Sequence, residues 1–229
     1  MITQKWTGYR YLHVFSMTFL MFMLCDSVFT YKFVAMPFGY AEACVFVIPF
    51  WFIIGDIIAE VYGQKASRNI LLSAFAIEIV FAFFSYFLVH LPSPSFWKNE
   101  FSYELILGHL PRIIFSSALA VLISGYLNIY FIVKWKKLLH GRYFWLRSIG
   151  ASWISEGVYS FIAVYFILYG VVPFHAILIA ILWSYLSKII LTIILSAPGA
   201  WIASITKKNE CIPSNQIISF NPLNGENSR

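Results

Sequence analysis

Six of the ten acidic residues lie inside strongly apolar segments, where burying an ionised carboxylate is costly. They are Asp26, Glu42, Asp56, Glu60, Glu78 and Glu156. Asp56 and Glu60 are four residues apart, so on a helix they project from one face. Two carboxylates this close repel each other, and one is protonated unless a cation or a ligand donor lies between them. The spacing predicts a site for a proton or polar ligand, or two side chains that reach water beside Lys65 and Arg68, and it leaves both interpretations open.

The composition places these residues in a membrane. Of the 229 residues, 60% are hydrophobic and 11% are charged, against ~25% charged in a soluble domain, so too few charges exist to cover a water-exposed surface. Aromatic residues make up 20% of the chain, which excludes intrinsic disorder. The net charge of +6 comes from scattered Lys and Arg rather than a basic stripe, so no direct nucleic-acid binding is expected.

Glu156 and two basic residues in apolar sequence, Lys32 and Lys188, are also predicted ligand contacts. Glu156 and Lys188 stand in stripes of small polar residues at four-residue spacing, which are typical of helix packing. A bundle needs no buried ions to pack, however, so these three are assigned to substrate. Two other acids have simpler interpretations. Glu42 is expected to reach the headgroups from a span end, and Glu78 to be protonated or hydrogen-bonded between helices.

Six apolar segments have about the 20 residues that a transmembrane helix needs. The predicted spans are 11–35, 42–62, 69–91, 112–133, 148–170 and 175–197. A short interfacial helix is expected between Phe96 and His109. Pro49 is expected to kink the second span, and broken helices are where transporters place substrate sites. The predicted fold class is an all-α integral membrane protein, a bundle of six transmembrane helices.

The basic residues predict the orientation. Twelve of the sixteen Lys and Arg fall in the N-terminus, the 2–3 and 4–5 loops and the C-terminal tail, and only Lys98 and Arg112 fall on the other face. The positive-inside rule then puts both termini in the cytoplasm. We expect a cytoplasmic N-terminus (1–10), a six-helix transporter domain (11–205) and a polar, disordered cytoplasmic tail (206–229).

Enzyme motifs are absent from the sequence, including the metalloprotease, nucleophile-elbow, phosphate-loop and dinucleotide-binding patterns. The five histidines lie at predicted span ends or in loops, without metal-ligand spacing. We therefore expect no enzyme, no cofactor and no metal. A membrane-embedded enzyme that uses Asp56 and Glu60 as an acid pair is the less favoured alternative. Transport would run on a gradient or on a separate ATPase partner.

The segment Asp56-Ile-Ile-Ala-Glu60-Val-Tyr62-Gly63, followed by Ala66 and Arg68, resembles the queuosine precursor transporter family, also called the vitamin uptake transporter family. Further matches follow in order from about residue 12 to 205. They are Lys32, Ile48-Pro49-Phe50, Arg112, Asn128, Leu146-Arg147-Ser148, Ser152-Trp153-Ile154-Ser155-Glu156 and Tyr185-Leu186-Ser187-Lys188. The sequence departs from the family pattern in two places. In the fifth span Ala151-Ser152 replaces the usual Ser-Thr pair, Glu156 replaces the usual Gln and Tyr159 occupies an Asp position. Gly55 precedes Asp56 where bulkier or polar residues are common.

The resemblance implies import of a 7-deazaguanine used to build the tRNA nucleoside queuosine. A guanine-like edge presents N–H and NH2 donors side by side, which one carboxylate accepts with both oxygens. The ring's acceptors need donors, and its flat faces need aromatic stacking. The substrate-binding residues are predicted to be Lys32, Asp56, Glu60, Tyr62, Arg112, Asn128, Arg147, Ser152, Trp153, Glu156, Tyr185 and Lys188.

The resemblance also implies the partners and the location. We expect a small-molecule deazapurine substrate, the lipid bilayer and a second copy of the chain in a homo-oligomer, in the bacterial cytoplasmic (inner) membrane. A second transport interpretation is the substrate-binding subunit of an energy-coupling-factor vitamin transporter. Six spans and a similar size fit that class, but the first span lacks the A-x-x-x-A surface often used there to meet the coupling subunit.

Overall fold

The computed structural model describes residues 9–37, 39–138 and 144–210, without some of the side chains inside its helices. The described chain is mostly helical, which confirms the predicted all-α class; the exception is one two-stranded antiparallel hairpin. The elements are α1 (Leu12–Phe29), β1 (Phe33–Met36), β2 (Gly39–Glu42), a 3₁₀ turn (Ala43–Phe46), α2 (Ile48–Tyr62), α3 (Gln64–Val89), α4 (Glu100–Leu107), α5 (Leu110–Leu138), α6 (Phe144–Leu168) and α7 (Phe174–Asn209).

Four segments in the described part of the chain are long and apolar enough to cross a membrane. They are Leu12–Phe29, Lys65–Val89, Glu100–Ser124 and Phe174–Leu195. Two shorter apolar helices are Ala43–Ile58 and Trp153–Leu168. The chain is therefore a multi-pass membrane protein, while the count of six spans and the side that each terminus faces stay predictions. The short helix expected between residues 96 and 109 is confirmed as α4.

The first predicted span is too long. The apolar run predicted a helix over 11–35, but α1 ends at Phe29 and the chain turns back in the hairpin, where Phe33 pairs with Glu42 and Met36 with Gly39. Lys32 therefore precedes β1 and is exposed, instead of lying inside a span. β-Branched and aromatic side chains favour a strand here, and Pro37 lies in the turn.

Gly39 lets the hairpin pack closely against α7. Its φ is +152°, and an added Cβ would lie 2.7 Å from Ile179 Cγ2 and 2.9 Å from Trp183 Nε1. We expect Gly39→Ala to lower the free energy of unfolding by roughly 1–3 kcal/mol, because the new methyl group overpacks a strained position. Thermal unfolding of the detergent-solubilised protein measures this. Gly157→Ala is the control, since its Cβ meets Tyr185 at an ordinary 3.6 Å; equal melting temperatures would contradict the close packing.

Pro49 begins a helix rather than interrupting one. It is the second residue of α2, where its missing N–H has no helical partner to lose. The predicted kink inside the second span is replaced by the hairpin and the 3₁₀ turn, which ends with the Val47 amide donating to the Cys44 carbonyl at 2.8 Å. The irregular backbone that the sequence placed within α2 thus lies just before it.

The last helix is longer than predicted. α7 continues through Pro198 to Asn209, past the expected end at 197 and into the predicted tail (206–229). Residues 211–229 of that tail lie outside the described residues.

Buried apolar side chains of the described residues form two larger cores and a small cluster that joins α2 to α7 at Ile57, Val61 and Ala203. One larger core joins α3, α5, α6 and α7 around Ile113, Leu168 and Ile177. The other joins α1, α2 and α3 around Phe19 and Ile58. Each of these side chains is nearly inaccessible to solvent, so each core fixes the relative positions of its own helices.

Candidate substrate site

A small cavity lined by both apolar and charged side chains lies where the two larger cores meet. Its volume is about 20 Å³, enough for one water molecule. The first core contributes Tyr159 and Ile167, and the second contributes Cys44 and Ile48. The full lining is Asp26, Thr30, Glu42, Cys44, Ile48, Ser117, Tyr159, Ala163, Val164, Ile167, Ser184 and Lys188.

Lys188 is the basic residue of this lining and is only 2% exposed. It lies fourteen residues into α7, roughly 20 Å along the helix axis from Phe174 and so deep in the span. Its ammonium group donates to Ser160 Oγ at 3.1 Å and lies 4.1 Å from the centre of the Tyr159 ring. The hydroxyl and the ring face replace only part of the hydration that a buried ammonium loses.

Glu42 reaches the cavity because the hairpin brings it back into the bundle. It is the last residue of β2 and is 1% exposed. Its Oε2 atom is buried and has no hydrogen-bond partner in the described part of the chain. Irregular backbone at membrane depth is tolerated where it lines a cavity, and this hairpin and the following turn do so through Glu42 and Cys44.

Asp26 brings a second carboxylate to the cavity from α1. Thr30 follows one helical turn later, and its hydroxyl donates to the Asp26 carbonyl oxygen at 2.8 Å. The lining thus holds two carboxylates, one ammonium, several hydroxyls and one aromatic face. This set can accept paired N–H donors, donate to a carbonyl oxygen and stack on a flat ring.

The family described as "putative vitamin uptake transporter" matches residues 42–202, more than two thirds of the chain. The chain belongs to this family of transporters. The resemblance drawn from the sequence motifs is thereby confirmed, and the matched range includes the cavity residues Glu42, Tyr159 and Lys188. No curated protein and no solved structure matches the chain.

Among the predicted substrate-binding residues whose side chains the structure describes, Lys188 alone lines the cavity. Glu156 lies on α6, and its Oε2 is buried without a hydrogen-bond partner among the described residues, but it does not line the cavity. Tyr185 is half-buried and packs near Gly157, while Trp153 is exposed. Their roles as substrate contacts stay predictions.

Asp56, the first acid of the family-like motif, is exposed on α2. It is not part of the cavity lining, so the structure does not place it with Asp26 and Glu42. Four other predicted contacts lie on helices with side chains outside the described residues: Glu60, Asn128, Arg147 and Ser152.

Tyr62, predicted to stack on substrate, instead joins helix ends. Its hydroxyl donates to Glu210 Oε1 at 2.6 Å, and the Tyr11 amide donates to the same oxygen at 2.8 Å. The Tyr9 ring stacks on Tyr62 with centroids 6.0 Å apart. The start of α1 and the ends of α2 and α7 therefore meet at one end of the bundle.

We expect Tyr62→Phe to lower the free energy of unfolding by about 1–3 kcal/mol, because the ring stays while the buried Glu210 carboxylate loses a donor. Thermal unfolding in detergent measures the change. Tyr103→Phe, at an exposed tyrosine on α4, is the matched control and should unfold like the wild type. An unchanged melting temperature for Tyr62→Phe would show that Glu210 does not hold these helix ends together.

Arg112, predicted to donate to substrate, caps α6 at the other end of the bundle. Its Nε donates to the Phe166 carbonyl at 2.8 Å, and Nη2 donates to the Tyr169 carbonyl. Tyr31 adds a hydroxyl bond to the Ile167 carbonyl at 3.2 Å. The last carbonyls of a helix have no partners within it, so these side chains satisfy groups that would otherwise be unpaired.

The expectation that Glu78 is hydrogen-bonded between helices is confirmed. This side chain is buried on α3 and accepts a hydrogen bond from the Ser27 hydroxyl of α1 at 2.9 Å, which joins two helices. Glu42 is the opposite case: it was expected to reach the headgroups, but it is buried in the cavity. Both Asp26 and Glu42 were recognised as acids in apolar sequence, but neither was predicted to line a common cavity or to contact substrate.

Proposed function

We propose that this transporter is a secondary-type importer of queuosine precursors across the bacterial cytoplasmic membrane. The precursors are 7-cyano-7-deazaguanine, 7-aminomethyl-7-deazaguanine and queuine base, and import would supply the queuosine modification of tRNA. The observation that carries the proposal is the buried cavity in which Asp26, Glu42 and Lys188 meet, in a chain of the vitamin uptake transporter family.

The chemistry of the cavity suits a 7-deazaguanine. Its N1–H and 2-amino groups lie side by side, and the carboxylate of Asp26 or Glu42 can accept both. The neighbouring carbonyl oxygen accepts from the Lys188 ammonium. The Tyr159 ring, which already lies beside Lys188, offers an aromatic face to the heterocycle.

Binding requires the cavity to widen. Ligand sites for small molecules usually enclose about 300–1,000 Å³, whereas this cavity is about 20 Å³. α3 belongs to both of the larger cores, and the small cluster around Ile57 joins α2 to α7, so widening has to move helices against one another within these clusters. Movement of one group of helices against another around a central site is how many secondary transporters alternate access. The Tyr62–Glu210 contact and the Arg112 cap mark the two ends that would open in turn.

Expression of this chain should restore queuosine to tRNA in a bacterial host that can neither synthesise nor import the precursors. Each precursor is supplied in the medium, and modified tRNA is measured by mass spectrometry of nucleosides. We expect restoration with the wild type and none with Lys188→Met. Failure of every precursor to restore the modification, with the protein present in the membrane, would refute the proposal.

A further inference from the structure

The described cavity lining contains more acidic side chains than basic ones. Its lining holds the carboxylates of Asp26 and Glu42 against the single ammonium of Lys188. The remaining polar side chains of the lining are the neutral hydroxyls and the Cys44 thiol, and Glu156 adds another acid on the neighbouring α6. Within the described part of the chain, one of these carboxylates is left without a cation, which in a low-dielectric interior is costly unless a proton or a bound cation compensates it.

A second observation points to where a cation would bind. Glu42 is 1% exposed, it lines the cavity, and its buried Oε2 has no hydrogen-bond partner in the described ranges. A buried carboxylate oxygen normally accepts at least one hydrogen bond, so an orphaned one in a cavity is a free acceptor. An ammonium group supplies three donors and a positive charge at once.

A 7-deazaguanine presents three kinds of polar group along one side. The N1–H and 2-amino donors lie on one edge, the carbonyl oxygen follows, and the substituent at ring position 7 comes next. A primary amine on that substituent is protonated at neutral pH, as a lysine amine is. Carboxylate, ammonium and carboxylate are then the complementary groups, and these are the three ions that line the cavity.

We infer that the site selects precursors that carry a protonated amine, such as 7-aminomethyl-7-deazaguanine, over the neutral 7-cyano compound. This inference rests on the proposed function and narrows its substrate class. One carboxylate accepts the guanine-like edge, and the other pairs with the substrate's ammonium. A nitrile offers only an acceptor, so it leaves the second carboxylate without a compensating charge.

The test is the affinity of the purified, detergent-solubilised transporter for the two precursors, measured by isothermal titration calorimetry. We expect the aminomethyl compound to bind about 100-fold more tightly, since an unpaired buried charge is what the nitrile would leave. Asp26→Asn and Glu42→Gln each remove one carboxylate. The variant that removes the carboxylate paired with the substrate's amine should lower the ratio of the two affinities to near 1. The other variant should weaken the binding of both precursors by the same factor. Glu104→Gln, at an exposed acid on α4, is the control and should keep the ratio.

The outcomes separate this inference from the proposed function. Equal binding of the two precursors, or tighter binding of the cyano compound, would overturn the inference and leave the proposed function standing. A ratio that survives both Asp26→Asn and Glu42→Gln would also overturn it. Failure of both precursors to bind a folded transporter would contradict the proposed function itself.

Discussion

Replacing Lys188 with methionine is expected to reduce precursor uptake by roughly 100- to 1,000-fold. The substitution keeps an unbranched side chain in the buried site, but it removes the only positive charge that lines the cavity in the described structure. Removing one partner of a buried ionic group costs about 3–5 kcal/mol, because the opposite charges remain without compensation. The substrate's carbonyl oxygen also loses its donor.

Uptake of radiolabelled 7-aminomethyl-7-deazaguanine by cells measures this effect, with the amount of protein in the membrane checked in each strain. Lys32→Met is the matched control, since Lys32 is exposed before β1 and should tolerate the change. Lys188→Arg should also fail, because the larger guanidinium head overpacks the closed cavity of about 20 Å³ and takes up space that the substrate needs when the cavity widens. Normal uptake by Lys188→Met would show that Lys188 does not contact the substrate.

The second large effect is expected at Glu42. Glu42→Gln keeps the shape of the side chain but removes its charge and turns one acceptor oxygen into a donor. Since Glu42 is 1% exposed and its Oε2 is free to accept, we expect uptake of the aminomethyl precursor to fall about 100-fold. Asp56→Asn should have a smaller effect, below about 10-fold, because Asp56 is exposed on α2 and lies outside the cavity lining.

The pair of variants decides between two positions for the acidic site. The sequence motif predicted Asp56 and Glu60, whereas the structure brings Asp26 and Glu42 to the cavity. If uptake is lost in Asp56→Asn and kept in Glu42→Gln, the acidic site lies at the sequence motif, with Asp56, and not at the cavity. Both proteins must insert equally, which a blot of the membrane fraction establishes.

The helices could be predicted because long apolar runs need no knowledge of distant contacts. α3 is an apolar run of this kind, and its predicted span of 69–91 overlaps most of Gln64–Val89. The hairpin could not be predicted in this way, since its first strand, Phe33–Met36, is as apolar as the helix that precedes it. Hydropathy measures preference for lipid and does not distinguish a strand that folds back from one more helical turn.

Of the residues that line the candidate cavity, the sequence pointed to Lys188 but not to Asp26 or Glu42. Lys188 could be recognised because a base in the middle of an apolar run is costly wherever the helix lies. The depth of Glu42 depends on the fold of the hairpin, so its position near a predicted span end was misleading. Tyr62 and Arg112 bind groups 148 and up to 57 residues away in the chain, and such partners cannot be inferred from local spacing.

The most direct test of the central claim is flux through the purified transporter in proteoliposomes. Each radiolabelled precursor is added outside, and the label retained inside is followed over time against protein-free liposomes. We predict time-dependent entry that excess unlabelled precursor suppresses and that Lys188→Met abolishes. Entry of every precursor at the protein-free rate, with the wild-type protein folded and inserted, would contradict the claim that this chain carries queuosine precursors across the membrane.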